Sequence, residues 1–336
     1  MVNLQKEFID FHDAIKLDDE NDILREKRDI LLDKLKKNIS DDAPTYTHFN
    51  QGSYAMGTGI KPDEGDYDID VGLKFDIDKS DYSDPVDVKK WVRDALDGHT
   101  KKVEIRNSCV TVTYQSDGED AFHVDFAVYA AGNSDGRLYI AKGREYSSEQ
   151  YRYWEESEPQ ELIDKINNRF DNNDDRKQFK RIIRYAKKWK NQQFDLSGNN
   201  APTGIALTAL AYSKFQPVYS KDYITGIREY DDFTAFKNYM KSIKDEFFPS
   251  YDIENQYQYY AIIHRLPVMP GNNLFEKMTP HQQNNFYEKV VSAIEKFEDA
   301  ETKTKKSDAC KIMSDLFGDD FPVYVERSFV GTSESA

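Results

Sequence analysis

Cysteine is nearly absent from this chain of 336 residues, with Cys109 and Cys310 standing some two hundred positions apart. That excludes a thiolate zinc cluster, argues against a disulfide framework, and fits a reducing compartment. Also missing is any run approaching the roughly 18 apolar residues that a membrane span needs. The opening MVNLQKEFID has neither the basic flank nor the apolar stretch of a secretory leader, so a cytoplasmic location is expected and no membrane partner. Positive charge is scarce as well. Lys and Arg number 46 against 61 Asp and Glu, a net charge of −15, opposite in sign to the footprint of a protein that coats nucleic acid. Long duplexes are therefore poor candidate partners. A small polyphosphate is not excluded, because a local cluster of cations receives it whatever the net charge. Aromatic residues, by contrast, are plentiful: 22 Tyr and 20 Phe supply enough bulk for a sizeable core.

Hydrophobic periodicity organises the chain. Leu4, Phe8, Phe11 and Ile15 recur at helical spacing, followed by Ile23, Ile30, Leu31 and Leu35, so residues 3–40 read as helical. From about 45 to 142 the pattern shortens to strands, best at 67–75, 101–106, 109–116 and 121–130, with an amphipathic helix over Pro85–Leu96. Beyond Tyr151 strands are expected almost to vanish, and helices return at roughly 159–170, 174–193, 202–216, 231–247, 279–299 and 304–317. The expectation is an α+β protein of two lobes. Residues 1–155 would form a sheet core with N-terminal helices, and 156–336 a helical domain closing in a short mobile tail from Ser328.

Three carboxylates stand out. In Tyr67-Asp68-Ile69-Asp70-Val71 the strand period sends Ile69 and Val71 to the core and Asp68 and Asp70 together to the other face. Side by side they repel unless a cation intervenes, and a hard divalent ion with oxygen ligands suits them. In Phe122-His123-Val124-Asp125-Phe126-Ala127-Val128 the apolar row again leaves Asp125 on the polar face, beside His123. Were the two strands neighbours, Asp68, Asp70 and Asp125 could hold two ions roughly 3.5–4 Å apart, the arrangement used for in-line phosphoryl displacement. An isolated Asp-x-Asp strand is otherwise an exposed edge or a calcium-like loop. Upstream, Gln51-Gly52-Ser53 reads as a small-residue turn opening a short helix, where Gly52 admits a phosphate close to the backbone and Ser53 donates a hydroxyl.

This combination resembles the motif set of the polymerase-β-like nucleotidyltransferase superfamily. Within it, QGSYAMGT and YDIDV are similar to the bacterial cGAS/DncV-like nucleotidyltransferases, the cyclic-oligonucleotide synthases of antiphage CBASS defence. A further match is Phe179 to Trp189, which resembles the helix of oligoadenylate synthetases whose lysine, two before the tryptophan, contacts the triphosphate. Here that lysine is Lys187, with Lys188 the alternative after a one-residue shift. Lys180 and Arg184 flank the same apolar stripe. Thr203 matches the opening of the family's next helix near the nucleotide, and is equally read as a plain N-cap. Asp66 shares parity with Asp68 and ranks below it.

The resemblance implies a fold, a chemistry and partners. The fold is a polymerase-β-like sheet packed against an oligoadenylate-synthetase-like helical domain. The reaction is Mg²⁺-dependent joining of NTPs into a cyclic di- or trinucleotide, with two ions and Mn²⁺ as a substitute. ATP and a second NTP are the implied substrates, a CBASS effector is reached through the product, and the C-terminus ending Ser335-Ala336 is a candidate for conjugation to a partner. Two rivals stay open: a linear oligonucleotide synthase or nucleotidyl transfer to RNA or protein, and a non-catalytic nucleotide-binding or antitoxin module.

Overall fold

A computed structural model describes residues 2–17, 20–62, 67–100, 102–116 and 119–324. Asp63, Glu64 and Asp66, and the tail with its expected conjugation role, lie outside the described residues. In chain order the elements are α1 (Gln5–Ile15), α2 (Glu20–Asn38), β1 (Tyr46–Gln51), α3 (Gly52–Ala55), β2 (Tyr67–Phe75), α4 (Pro85–Leu96), β3 (Lys102–Ile105), β4 (Val110–Ser116) and β5 (Glu119–Ala130). Then come β6 (Tyr139–Lys142), β7 (Tyr153–Glu156), α5 (Pro159–Asn167), α6 (Asn173–Gln193), α7 (Gly204–Lys214), β8 (Tyr219–Lys221) and β9 (Arg228–Tyr230). The chain continues through α8 (Asp232–Lys244), β10 (Phe247–Asp252), β11 (Tyr257–Ile262), α9 (Pro280–Thr302) and α10 (Lys306–Phe317). The α+β class is as expected.

The chain forms two compact units. One joins Lys16–Arg176 to Arg265–Asn273; the other joins α1 to Lys177–His264 and to the segment from Leu274 onward. The division thus falls at Arg176, later than residue 155, and the first helix belongs with the helical unit.

In the sheet unit the strand order is β1-β2-β5-β4-β3, with β6 continuing from β5 and β7 from β6. The β2–β5 pair is parallel and the others antiparallel. Ile69, Val71, Leu73 and Phe75 of β2 and Val124, Phe126, Val128 and Ala130 of β5 are buried in one core with Leu24, Leu31 and Leu35 of α2 and Val86, Val88 and Val92 of α4. Strand alternation therefore buries one face of the sheet and leaves the other to Asp68, Asp70 and Asp125. Helix α4 forms where Asp84 accepts the Val86 N–H at 2.9 Å and Pro85 occupies the first turn. In α2 the buried stripe runs through Leu24, whereas Ile23 (44% exposed) and Ile30 (40%) face outward, one position off the expected stripe. The segment 265–273 is tied into this unit by Lys165, which donates to the Pro267 carbonyl at 2.8 Å, and by the Met269 N–H, which donates to Glu158 at 2.8 Å.

The helical unit has an aromatic core. Phe8 of α1 meets Tyr185, Phe233, Phe297, Phe317 and Phe321, with ring centroids 5.2–6.3 Å apart. Inside it the fully buried Asp232 carboxylate accepts two bonds from Arg181, at 2.5 and 2.8 Å, and one from Gln178 at 3.0 Å. Buried charge is tolerated here because the pairing is bidentate and both carboxylate oxygens are bonded. One expectation is corrected: strands do not nearly vanish after Tyr151. Besides β7, two antiparallel hairpins, β8–β9 and β10–β11, interrupt the helices.

Candidate active site

Register brings the acidic residues together. In the parallel β2–β5 pair Asp70 lies opposite Asp125 and Asp68 opposite His123, so the aspartates share one face at the spacing of neighbouring strands, about 4.8 Å. Antiparallel β1 sets Gln51 opposite Asp70 from the other side. Asp68 is exposed and Asp70 and Asp125 are half-buried, so the face opens to solvent at the carboxylates. Further along it closes with a small apolar plug, in which Ala127, Tyr129 and Ile140 pack with Phe49 and Leu138.

The turn after β1 is built against the carboxylates. Gly52 has φ +65°, and a Cβ placed there would lie 1.7 Å from Asp70 Oδ2. Only glycine lets this backbone approach so closely. Gln51 is held by Tyr129, whose hydroxyl donates to Oε1 at 2.9 Å. Ser53 is half-buried, its Oγ 3.8 Å from where a Cβ on Gly59 would stand. On the other side of the sheet Arg28 donates to Asn50 Oδ1 at 2.8 Å and Arg25 to the Tyr54 hydroxyl at 2.5 Å, so α2 braces the same turn.

Asp125 has its own support. Thr111, opposite it on β4, donates its hydroxyl to Oδ1 at 2.5 Å. Next to Thr111, Cys109 is no candidate ligand: burial, then the Asp125 charge, push its thiol up to about 12. His123 meets Thr113, Nδ1 to Oγ1 at 3.1 Å, a bond within the sheet.

The donor set is oxygen only, from three carboxylates, which suits Mg²⁺ or Mn²⁺. The glycine cradle beside Asp70 fits the same use, since any side chain would fill the space where a ligand must approach. The rotamers do not themselves converge: among the described residues no three or more His, Cys, Asp or Glu side chains are gathered closely enough to hold an ion. The strand register is what places the three carboxylates on one face.

Lys187 and Thr203 belong to the helical unit. Lys187 is 9% exposed, and its Cε lies 3.5 Å from where a Cβ on Gly204 would be, alongside the first turn of α7. An ammonium next to a helix N-terminus favours an anion. Lys188 is committed elsewhere, to Asp320 at 2.5 Å. The Thr203 hydroxyl accepts the Ala206 N–H at 3.2 Å, so it does serve as the N-cap of α7, with its own proton left to donate. Arg184 turns to His12, Nη1 to Nε2 at 3.1 Å. Thr111, Tyr129, Arg25 and Arg28 were not foreseen. The alternation in Cys109-Val110-Thr111-Val112-Thr113, which sets two threonines opposite the buried valines, was the available signal for Thr111.

Comparison with known proteins bears on the family and the fold. Residues 46–129 match the family described as cyclic GMP-AMP synthase DncV-like, nucleotidyltransferase domain. A cyclic GMP-AMP synthase of Escherichia albertii is 28% identical over 194 residues, which is 55% of this chain and 41% of that protein. The match thus spans well under half the length of that curated relative. The crystal structure of Vibrio cholerae DncV cyclic AMP-GMP synthase superposes with a TM-score of 0.67 at 17% identity, over 95% of this chain and 97% of that one. Escherichia coli MS115-1 CdnC, solved in a complex with HORMA-deltaN, gives 0.65 at 19% identity over 94% and 98%. At these identities the two structures speak to the fold. Among the described residues no helix is long and apolar enough to cross a membrane.

Proposed function

We propose that this protein joins nucleoside triphosphates into a cyclic di- or trinucleotide, a reading supported by the match of residues 46–129 to the DncV-like nucleotidyltransferase domain. The observation that carries the reading is the parallel register of Asp70 with Asp125, with Gly52 pressed against Asp70. A binding module needs no cluster of carboxylates beside a phosphate-accepting turn, because unneutralised they repel both each other and the ligand.

Asp68, Asp70 and Asp125 are the proposed ligands of two Mg²⁺ ions, with Mn²⁺ able to substitute. When bound, such ions ease deprotonation of a ribose hydroxyl and neutralise charge on the triphosphate. The hydroxyl oxygen forms a bond to the α-phosphorus of a second nucleotide, the bond to the β-phosphate bridging oxygen breaks, pyrophosphate leaves, and the hydroxyl proton passes to a carboxylate or to water. Gln51, Gly52 and Ser53 line the phosphate side, where backbone and hydroxyl donors face the developing charge. Lys187 and Thr203 are assigned to nucleotide phosphate as well, supported by the buried lysine stem beside the start of α7. With little covalent work for the protein, rate comes from positioning and charge stabilisation.

ATP and a second NTP are the proposed substrates. Vibrio cholerae DncV, solved with the linear intermediate pppA(3′,5′)pG and with ATP and GTP, supports a two-step route through a linear species. The product would act on an effector in cytoplasmic antiphage signalling of the CBASS type. The test is incubation of the purified chain with all four labelled NTPs and Mg²⁺, then phosphatase and mass spectrometry. A phosphatase-resistant product without terminal phosphate supports ring closure. A product that loses phosphate points to a linear synthase, and nucleotide binding without pyrophosphate release would sink the enzyme reading.

A further inference from the structure

Asp125 is gripped from the side away from Asp70. Thr111 is fully buried, stands opposite Asp125 in the β4–β5 register, and places its hydroxyl 2.5 Å from Oδ1. Its β-branched side chain is stiff at χ1 in a strand, so the donor has little freedom to turn away. Behind it Cys109 Sγ lies 3.5 Å from Thr111 Oγ1, within reach of a weak sulfur–hydroxyl hydrogen bond. The carboxylate therefore has Oδ1 held by a buried neutral donor. Neutrality matters: a lysine or arginine here would cancel the charge a cation requires, whereas a hydroxyl orients the carboxylate and leaves its charge in place.

We propose that Thr111 is a positioning residue that locks the Asp125 carboxylate for the divalent ion and sets the affinity of the site for it. This rests on the function proposed above. Groups that orient a ligating side chain typically change metal affinity by about 10- to 100-fold when removed.

The experiment is a titration of the full chain with Mn²⁺, followed by electron paramagnetic resonance, with a non-hydrolysable ATP analogue present. T111V keeps shape and loses the donor, T111A is a second donor-free variant should the first fold poorly, T111S restores the hydroxyl, and D125N removes a ligand. T111V and T111A should bind Mn²⁺ about 10- to 100-fold more weakly. T111S should stay within about threefold of the parent, with turnover in T111V recovering at high Mn²⁺. A donor-free variant that binds Mn²⁺ like the parent, while D125N loses binding, overturns the proposal. If D125N itself binds like the parent, the fault lies with the assignment of Asp125 as a ligand and hence with the proposed function.

Discussion

Gly52 is the position where a single added carbon does most harm. Its φ of +65° strains any other residue by about 1–3 kcal/mol, and the new Cβ would overlap Asp70 Oδ2. Gly52→Ala is expected to lower turnover about a hundredfold, the loss a misplacement of about 1 Å produces, with the substrate KM less affected; steady-state kinetics decide it. A parent-like rate would show that the turn does not set the carboxylate. Removing charge from the same face should act differently. Asp68→Asn with Asp70→Asn is expected to abolish synthesis while the melting temperature falls by no more than about 2 °C, because neither side chain belongs to the buried core of the sheet. Product formation in the double variant would remove the two from the chemistry. These aspartates were legible because acidic residues interrupt otherwise apolar strands. The alternation in β4 put Thr111 on the same face, but neither its bond to Asp125 nor the reach of Tyr129 to Gln51 could be read, since parity says nothing of which strand lies beside a residue.

Helix α4 is held to the sheet unit by a buried cation. Lys89 donates its ammonium to the carbonyls of Arg106, Asn107 and Gly143 at 3.0, 2.8 and 2.8 Å, and burial pushes it down to about 7. Lys89→Met would keep the stem and strand three acceptors, so unfolding by urea should show a loss of about 2–4 kcal/mol. A change under about 1 kcal/mol would mean that water or relaxation replaces the donors. The bounds of α4 could be foreseen from Asp84, Pro85 and the apolar spacing, and β2 from its alternation. The hairpin β10–β11 could not. Its turn carries no Gly or Pro, and Gln256 takes the positive φ of +54° that glycine would normally announce. Its neighbour β8–β9 has strands of three residues, too short to show a period.

Across the whole molecule, acid sensitivity has an identifiable source. Burial first, then the Arg184 guanidinium, push the His12 imidazole down to about 4 from 6.5. The unfolded chain binds the proton more readily between those values, so this contribution is complete above about pH 6.5 and drains away as pH falls toward 4. Between about pH 7 and pH 5 the melting temperature should fall more steeply in the parent than in H12Q; equal slopes would place the sensitivity elsewhere. Two units were expected and two are present, but their segments interleave. No pattern in the sequence announces that 265–273 returns to the sheet unit, because short loop segments carry no period. The interleaving has a consequence on the ribosome. Phe8 leaves the exit tunnel well before its ring neighbours Phe297, Phe317 and Phe321, which lie roughly 290 to 310 residues downstream. At about 5–20 residues per second, the aromatic cage around Phe8 stays incomplete for roughly 15–60 s of synthesis, a window in which a nascent-chain chaperone has something to hold.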